Sequence, residues 1–309
     1  PLPDAGRVDR ETSTCYRTWK TELWLSVRAE PSPRLHRWLD DLLHDETDRL
    51  DVLASRFRPD SVSTRVSRNA GTWTEVPWDF VTVLSAALAA AEATGGLVHP
   101  LLGRHVVAAG YDRWAEQDSG ISPSTATNDW RAIEITTGRS EAKVRIPADS
   151  ALDLGAVAKG WLADRLATTV HASTGFDAMA NMGGDLRVVA PREGWIVAAD
   201  PDLPGREPVA FDVEDAGLAT SGVGHRSWEG GHHIIDPRTG HPADSAWSSV
   251  SVMAADAAGA NAAATAGFIS GDEGPALLEG MGLDAWFVAE VDCAVGRWPQ
   301  KSGSTLVDA

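Results

Sequence analysis

Residues Leu152–Ala167, "LDLGAVAKGWLADRLA", read as the approach to an amphipathic helix that carries Lys159 in its opening turns. Val157, Trp161, Leu162 and Leu166 recur at helical spacing and define its inward face. A lysine near a helix N-terminus opposes the helix dipole at a cost of about 0.3–1 kcal/mol. An anion bound there would make the charge useful. Asp153 and Gly155 precede the helix, and unpaired N–H groups near Gly155 and Ala156 could receive a phosphate. Equally, Asp153 could simply cap the helix while Lys159 is solvated.

Outward from that stretch, "AIEITT" and "KVRI", separated by Gly138, read as a hairpin leading into it. Further upstream, "TWKTELWLSV" from Thr18 alternates, with Thr21, Leu23, Leu25 and Val27 on one face, and reads as a strand. After Pro33 a helical spacing runs through Leu39, Leu43, Leu50 and Leu53 to about Phe57. The segment "RPDSVSTRVSRNAG" reads as a loop before a second helix, Trp78 to about Thr94, stopped by Gly95-Gly96. Short elements then run to Arg113.

Downstream, "GDLRVVA", "GWIVAAD", "EPVAFDV", "HHIID" and "SSVSVMA" are strand candidates. An alanine-rich helix, a helix near Gly274 to Met281 and the strand "DAWFVAE" follow. No fixed-period repeat or low-complexity linker occurs. The expected fold is α+β: one compact unit over residues 15–299, with one lobe or two, mixed and antiparallel sheets and flanking helices. Residues 1–14 are expected to form a flexible N-terminal segment and residues 300–309 a tail.

The 309 residues, 43% of them hydrophobic, suffice for a sizeable core. With 27 Lys and Arg against 44 Asp and Glu, the net charge of −17 disfavours nonspecific binding to nucleic acid or anionic membranes. A bound anion would need a local positive pocket. The two cysteines, Cys15 and Cys293, form no disulfide framework or metal cluster, although a single bridge is possible. No apolar run is long enough for an integral membrane segment, and the start "PLPDAGRVDRETS" lacks a signal-like pattern. The expected location is cytoplasmic, or exported if a leader preceding Pro1 has been removed. Thirteen tryptophans against two tyrosines have no physical explanation in the sequence.

Three further stretches offer chemistry. In "NMGGDLRVV", Gly183 and Gly184 permit close backbone approach to a ligand, with Asp185 as an acceptor, although a plain glycine turn explains them equally well. In "GGHHIIDPRTGHP", Asp236-Pro237-Arg238-Thr239-Gly240 is ordinary turn chemistry. The adjacent His232 and His233 would alternate across a strand, leaving one to face a cleft as a general base. In "AADAAGANAAATAGF", Asn261 and Thr265 share a helix face and offer oxygens to a hard cation. The plainer alternative is a buried helix in which Thr265 bonds to its own backbone. "GMGLDA" at Gly280 mimics a dinucleotide fingerprint but lies between a helix and a strand, the wrong order.

Together, "DLGAVAKG", "NMGGDLRV", "HHIIDPRTG" and "SVSVMAADAAGANAAATA" resemble, in order and spacing, the ApbE family of FAD:protein FMN transferases. Weaker similarity in "RPDSVSTRVS", "TGGLVHPLLG" and "LATSGVGHR" extends the resemblance to roughly Cys15–Glu290. It implies an enzyme that binds FAD with a divalent cation, usually Mg²⁺, splits the pyrophosphate and releases AMP. FMN would pass to a Thr or Ser hydroxyl of an acceptor flavoprotein, or FAD would be hydrolysed instead. A flavin-binding protein without catalysis, or transfer from another nucleotide diphosphate, are the alternatives.

Carried over residue by residue, the resemblance implies that the Ala156 carbonyl, Asn261 and Thr265 surround the cation, with Lys159 close to the diphosphate. His233 would deprotonate the acceptor hydroxyl and Asp236 would orient the turn. Asp153, Asn181, Gly183, Gly184, Asp185, Thr220 and Ser221 would line the FAD site. Four positions depart from the family pattern: Asn261 for an aspartate, Lys20 for a glycine, Ser67 for an asparagine and His99 for an aspartate. The loss of charge at Asn261 would weaken the cation site, make it depend on FAD, or call on Asp256.

Overall fold

The computed structural model describes residues 11–111, 128–139, 141–190, 194–201, 206–224, 227–228, 231–298 and 307–308. Strands β1 (Thr12–Thr18) and β2 (Thr21–Val27) form an antiparallel hairpin. Its turn residues Trp19 and Lys20 both have positive φ, 50° and 60°, the conformation that matches the twist of a two-residue hairpin. The strand expected from Thr18 is therefore only the second arm. The first arm, "TSTCYRT", buries Thr12 and Thr14 rather than large apolar side chains, so its alternation is hard to see. The first strand among the described residues starts at Thr12, ahead of the expected Cys15 boundary; residues 1–10 lie outside the described residues.

Helix α1 (Pro33–Ala54) follows, and Ser32 Oγ accepts from the Leu35 N–H at 3.1 Å. The segment expected to be a loop contains helix α2 (Val62–Arg68), started by Ser61, whose Oγ accepts from the Thr64 N–H at 3.0 Å. Its Ser and Thr residues hid a helix that is capped at one end and buried along much of its length. Strand β3 (Thr74–Val76), α3 (Trp78–Ala93) and α4 (Gly103–Ala108) come next. The expected hairpin is present as β4 (Glu134–Thr137) and β5 (Ala142–Arg145), and β3 joins it in a three-stranded sheet, order β3-β5-β4. The end of the stretch read as running to Arg113 lies outside the described residues.

Helix α5 (Ala158–Thr174) ends at Gly175, whose φ of 72° makes a left-handed stop. After it come β6 (Ala178–Met182), β7 (Leu186–Val189), β8 (Trp195–Ala199), β9 (Val209–Val213), β10 (Ala216–Gly222), β11 (Ser227–Trp228), β12 (Gly231–His232), β13 (Ile235–Asp236), β14 (His241–Pro242) and β15 (Ser249–Ala254). Helices α6 (Ala257–Ile269) and α7 (Gly274–Gly280), then β16 (Asp284–Val288), β17 (Cys293–Val295) and β18 (Val307–Asp308), complete the chain. Two readings need correction here. "LATSGVGHR", left out of the strand candidates, begins in β10, which pairs with β7 on one side and β15 on the other. "HHIID" is not one strand, because β12 and β13 are separated at His233 and Ile234.

One nine-stranded sheet, ordered β1-β2-β6-β7-β10-β15-β16-β17-β18, forms the frame. All its described pairings are antiparallel except β17 with β18, which places Val307 and Asp308 of the expected tail at the sheet edge. The helices lie along one face in strand order: α1 on β1, α5 on β6 and β7, α6 on β10 and β15, α7 on β16 and β17. Leu23, Leu25, Val27, Ala180, Met182, Leu162 and Leu166 are buried between these layers. On the other face the β8-β9 hairpin covers Leu186, Val188, Leu218 and Trp286. The α+β expectation, with antiparallel sheets and flanking helices, is borne out. Cys15 and Cys293 are free thiols.

Helices α5 and α6 approach closely at Gly160, where a Cβ would lie 2.6 Å from the Ala257 carbonyl oxygen and 2.8 Å from the Ala258 Cα. Helix propensity alone makes Gly→Ala favourable by about 1 kcal/mol. Here backbone stands in the way, so Gly160→Ala should instead destabilise by about 1–3 kcal/mol in chemical denaturation; a stabilised variant would show that the two helices are free to separate.

Candidate active site

The Leu152–Gly155 stretch is held from several sides before α5 begins. Ser67 Oγ on α2 accepts from the Leu152 N–H at 2.9 Å and donates to the Ser63 carbonyl at 2.8 Å. The Asp153 N–H donates to the Pro100 carbonyl, and the Gly103 N–H to that of Ala151, each at 2.9 Å. The segment "TGGLVHPLLG" thus packs against the start of the stretch, and Ser67, one of the four departures, reaches it through a hydroxyl.

Asp153 does not cap α5. Its Oδ1 accepts from the Gly155 N–H at 2.8 Å, whereas α5 starts at Ala158 with Val157 at the cap position and no side-chain acceptor. The Val157 and Ala158 N–H groups both donate to the Leu154 carbonyl. The open Gly155 amide expected from the sequence is therefore already engaged. Asp153 Oδ2 pairs with Arg56 Nε at 3.3 Å, and the Arg56 guanidinium stacks on Phe57 at 4.2 Å and on Tyr111 at 4.6 Å.

Lys159 sits in the first turn of α5, as expected, but its contacts are internal. Its Nζ donates to the Met182 and Gly183 carbonyls, each at 3.3 Å, and lies 3.0 Å from Asp185 Oδ2. The last contact is an ion pair rather than a directed hydrogen bond. Lysine here ties α5 to the β6–β7 turn. In that turn Gly183 and Gly184 have φ of 66° and 99°, Asn181 Oδ1 accepts from the Gly184 N–H at 2.8 Å, and the Met182 N–H donates to the Asp185 carbonyl at 2.8 Å. A Cβ at Gly183 would lie 2.6 Å from Thr21 Cγ2, so the glycine turn nests against the residue following Lys20.

Asn261 and Thr265 do share a face of α6. Thr265 Oγ1 donates to Asn261 Oδ1 at 3.4 Å and lies 2.9 Å from Ser221 Oγ of β10. Thr220, one residue away, points to the opposite face and bonds Ser251 Oγ at 2.8 Å. The expected pair Thr220 and Ser221 is therefore split across the sheet. Asp256 is committed to the cap of α6, accepting from the Gly259 N–H at 2.7 Å. Ala156 lies on the loop ahead of α5, packed against the same core. Among the described residues no group of three or more His, Cys, Asp or Glu is placed to hold a metal ion. A carbonyl, an amide and a hydroxyl still suit a hard cation chemically, provided that an anionic ligand supplies the charge.

The two histidines separate in role. His232 Nε2 faces the Ala243 carbonyl at 3.0 Å while Nδ1 receives the Ile234 N–H at 3.3 Å. Both ring nitrogens are used, and burial pushes its pKa down, so His232 is a neutral structural residue. His233 stands at the break between β12 and β13, its ring 5.8 Å from that of Tyr111. Tyr111 stacks on Trp228 at 5.7 Å, and Trp228 Nε1 donates to the Ala109 carbonyl at 2.8 Å. Asp236, 8% exposed, accepts from the Arg238 N–H at 2.8 Å and from its guanidinium. Arg238 Nη2 also donates to the Ile269 carbonyl at 3.1 Å, placing a cation at the C-terminus of α6.

A family model described as "ApbE family" matches residues 18–287. The chain belongs to the ApbE family. It is 32% identical over 285 residues, 84% of this chain and 78% of the relative, to a protein of Treponema pallidum (strain Nichols) named FAD:protein FMN transferase. A Haemophilus influenzae protein of the same name is 25% identical over 267 residues, covering 78% of this chain and 74% of its own. Among solved structures, an ApbE protein from Thermotoga maritima superposes with a TM-score of 0.78 at 24% identity, covering 91% of this chain and 95% of that one. The apo form of the Pseudomonas stutzeri flavinyl transferase ApbE also gives 0.78, at 19% identity, covering 93% and 95%. Both structures share the fold described above.

Sequence reasoning missed Arg56, Tyr111, Trp228 and Asp164. The aromatic residues come from separate segments, so no local spacing announces their meeting with His233. Asp164, inside the opening stretch itself, accepts from the Ala257 and Ala258 N–H groups at 2.8 and 3.0 Å. It read only as a polar position on a helix.

His99 is 9% exposed, and its Nδ1 accepts from the Leu101 N–H at 3.2 Å. Burial, then the nearby His105, push its pKa down from 6.5 to about 4. A histidine depressed in the fold contributes stability above its unfolded pKa and loses it as pH falls through the window from about 6.5 to about 4. His99→Asn, which keeps an acceptor, should flatten the fall in Tm across that window, a contribution of about 3 kcal/mol at most; an unchanged pH profile would remove His99 as its source.

Proposed function

We propose that this protein is a FAD:protein FMN transferase, moving FMN from FAD to a Thr or Ser hydroxyl of an acceptor flavoprotein with release of AMP. The observation that carries the reading is the junction at Lys159. One ammonium group on the first turn of α5 holds the Gly183–Gly184 turn, beside a helix that presents Asn261 and Thr265. It is an ammonium group paired with Asp185 in a chain of net charge −17, placed where two glycines let a ligand approach backbone. The names of the curated relatives support the same activity.

In this reading the diphosphate of FAD lies between the glycine turn and the Asn261–Thr265 face, with Asn181, Asp185 and Ser221 shaping the cleft. Asp153, bonded to Gly155 and Arg56, fixes the loop that carries Ala156. A Mg²⁺ ion held by the Ala156 carbonyl, Asn261 and Thr265 would withdraw negative charge from the diphosphate. Lys159, paired with Asp185, holds the glycine turn in place beside the diphosphate. His233 takes the proton from the acceptor hydroxyl. That oxygen bonds the FMN phosphorus, the P–O bond to AMP breaks, and AMP leaves with the bridging oxygen. Asp236 holds the turn following His233 through Arg238. With water in place of the acceptor, the same steps hydrolyse FAD.

Two observations favour a second reading, a flavin-binding protein without catalysis: Lys159 already has a carboxylate partner, and the donors expected for a cation are all neutral. Titrating FAD into the protein with and without Mg²⁺, then chromatographing the mixture for AMP and FMN, separates the two. Binding with AMP release supports the transferase or its hydrolytic form, binding without AMP in the presence of an acceptor supports the carrier, and absence of binding removes the flavin from both. His233→Ala should cut AMP release by about 100-fold or more while leaving FAD affinity nearly unchanged, and unchanged turnover would rule it out as the base. Lys159→Ala should weaken FAD far more than riboflavin, which has no diphosphate; equal losses would remove the phosphate role.

A further inference from the structure

Asp164 takes no part in the site as described, yet it joins the helix of Lys159 to the helix of Asn261 and Thr265. A helix leaves its first N–H groups without intrahelical partners, and these are ordinarily capped by a residue just before the helix. In α6 the local cap, Asp256, gives its side chain to the Gly259 N–H and its carbonyl to that of Ala260. Those of Ala257 and Ala258 go instead to Oδ1 and Oδ2 of Asp164, on α5, at 2.8 and 3.0 Å. The Asp164 side chain is 22% exposed, and Arg187 Nε of β7 lies 3.7 Å from Oδ1. Gly160, earlier on α5, lets the two backbones meet beside this clamp.

We propose that Asp164 is a positioning residue: by clamping the first two N–H groups of α6 to α5, it sets where Asn261 and Thr265 stand relative to Lys159. The inference rests on the flavin reading above. Two arms would grip one diphosphate, a lysine on α5 and oxygen donors on α6, and their spacing decides whether both reach it. The carboxylate is kept at a cost, since burial pushes its pKa up to about 6 against the pull of the two amides and Arg187. A serine or asparagine would avoid that cost, but only a carboxylate offers a separate oxygen to each amide, as Oδ1 and Oδ2 do here.

The test is FAD affinity of Asp164→Asn, by calorimetry, with Mg²⁺ and again with chelator, beside the thermal midpoint. The spacing of the arms matters to affinity only when the metal links the α6 donors to the diphosphate. The variant should therefore lose about tenfold in affinity with Mg²⁺ and less than about twofold without it. Equal loss in both conditions would make Asp164 merely structural, and no loss in either would remove the role; both overturn the inference. Wild-type protein that binds FAD with no response to Mg²⁺ overturns it too, by removing the metal arm, and wild-type protein that binds no FAD overturns the flavin reading and this inference together. Asp164→Ser, which also accepts from a backbone N–H, replaces Asp164→Asn if the latter loses its fold.

Discussion

The structure depends on what happens at the start of one alanine-rich helix. Helix α6 has no large side chains before Phe268 with which to hold its place, and its N-terminal N–H groups need acceptors at a start that is only partly open to water. Gly160 allows α5 to come within backbone contact, Gly217 of β10 does the same from the sheet, and Asp164 and Asp256 take the exposed amides. Small residues set the distance and carboxylates set the register. Every site element near this junction then follows: Lys159 one way, Asn261 and Thr265 the other, Ser221 from the strand between.

How much of this could be read in advance depends on how local each signal is. The helices Pro33–Ala54 and Trp78–Ala93 were legible because apolar side chains repeat along a single segment that buries one face. Strand β2 was legible for the same reason at period two. Strand β10 was not, because "AGLATSG" carries its strand character in its neighbours: β7 and β15 complete its hydrogen bonds, and α6 demands its small residues. Helix α2 was missed because its burial comes from packing that a Ser- and Thr-rich heptad does not advertise.

The site follows the same rule with a sharper edge. The candidate residues could be named as motifs, but their partners could not. Lys159 was expected to wait for an anion at an open helix start; the structure instead engages the Gly155, Val157 and Ala158 amides with Asp153 and Leu154 and gives the lysine to the β6–β7 turn. Thr220 and Ser221, adjacent in sequence, part to opposite faces because a strand alternates. The paired histidines part for the opposite reason: the strand breaks at His233, leaving His232 bonded within the fold and His233 beside Tyr111.

Charge balance connects these particulars to the proposed chemistry. Lys159 is neutralised by Asp185, which is 2% exposed in its side chain, so the pair by itself presents little net field to an incoming diphosphate. Asn261 and Thr265 add oxygens but no charge. A site built this way has weak attraction for a lone cation and weak attraction for a lone diphosphate. It has a stronger one for the two together, because each then supplies the charge that the other needs. The long-range field of a chain at −17 pushes in the same direction, since it repels the free anion more than its metal complex. In the proposed reading, the absence of a carboxylate at position 261 therefore shifts the protein toward taking its cation and its nucleotide as one ligand, with the α5–α6 clamp setting the spacing for both.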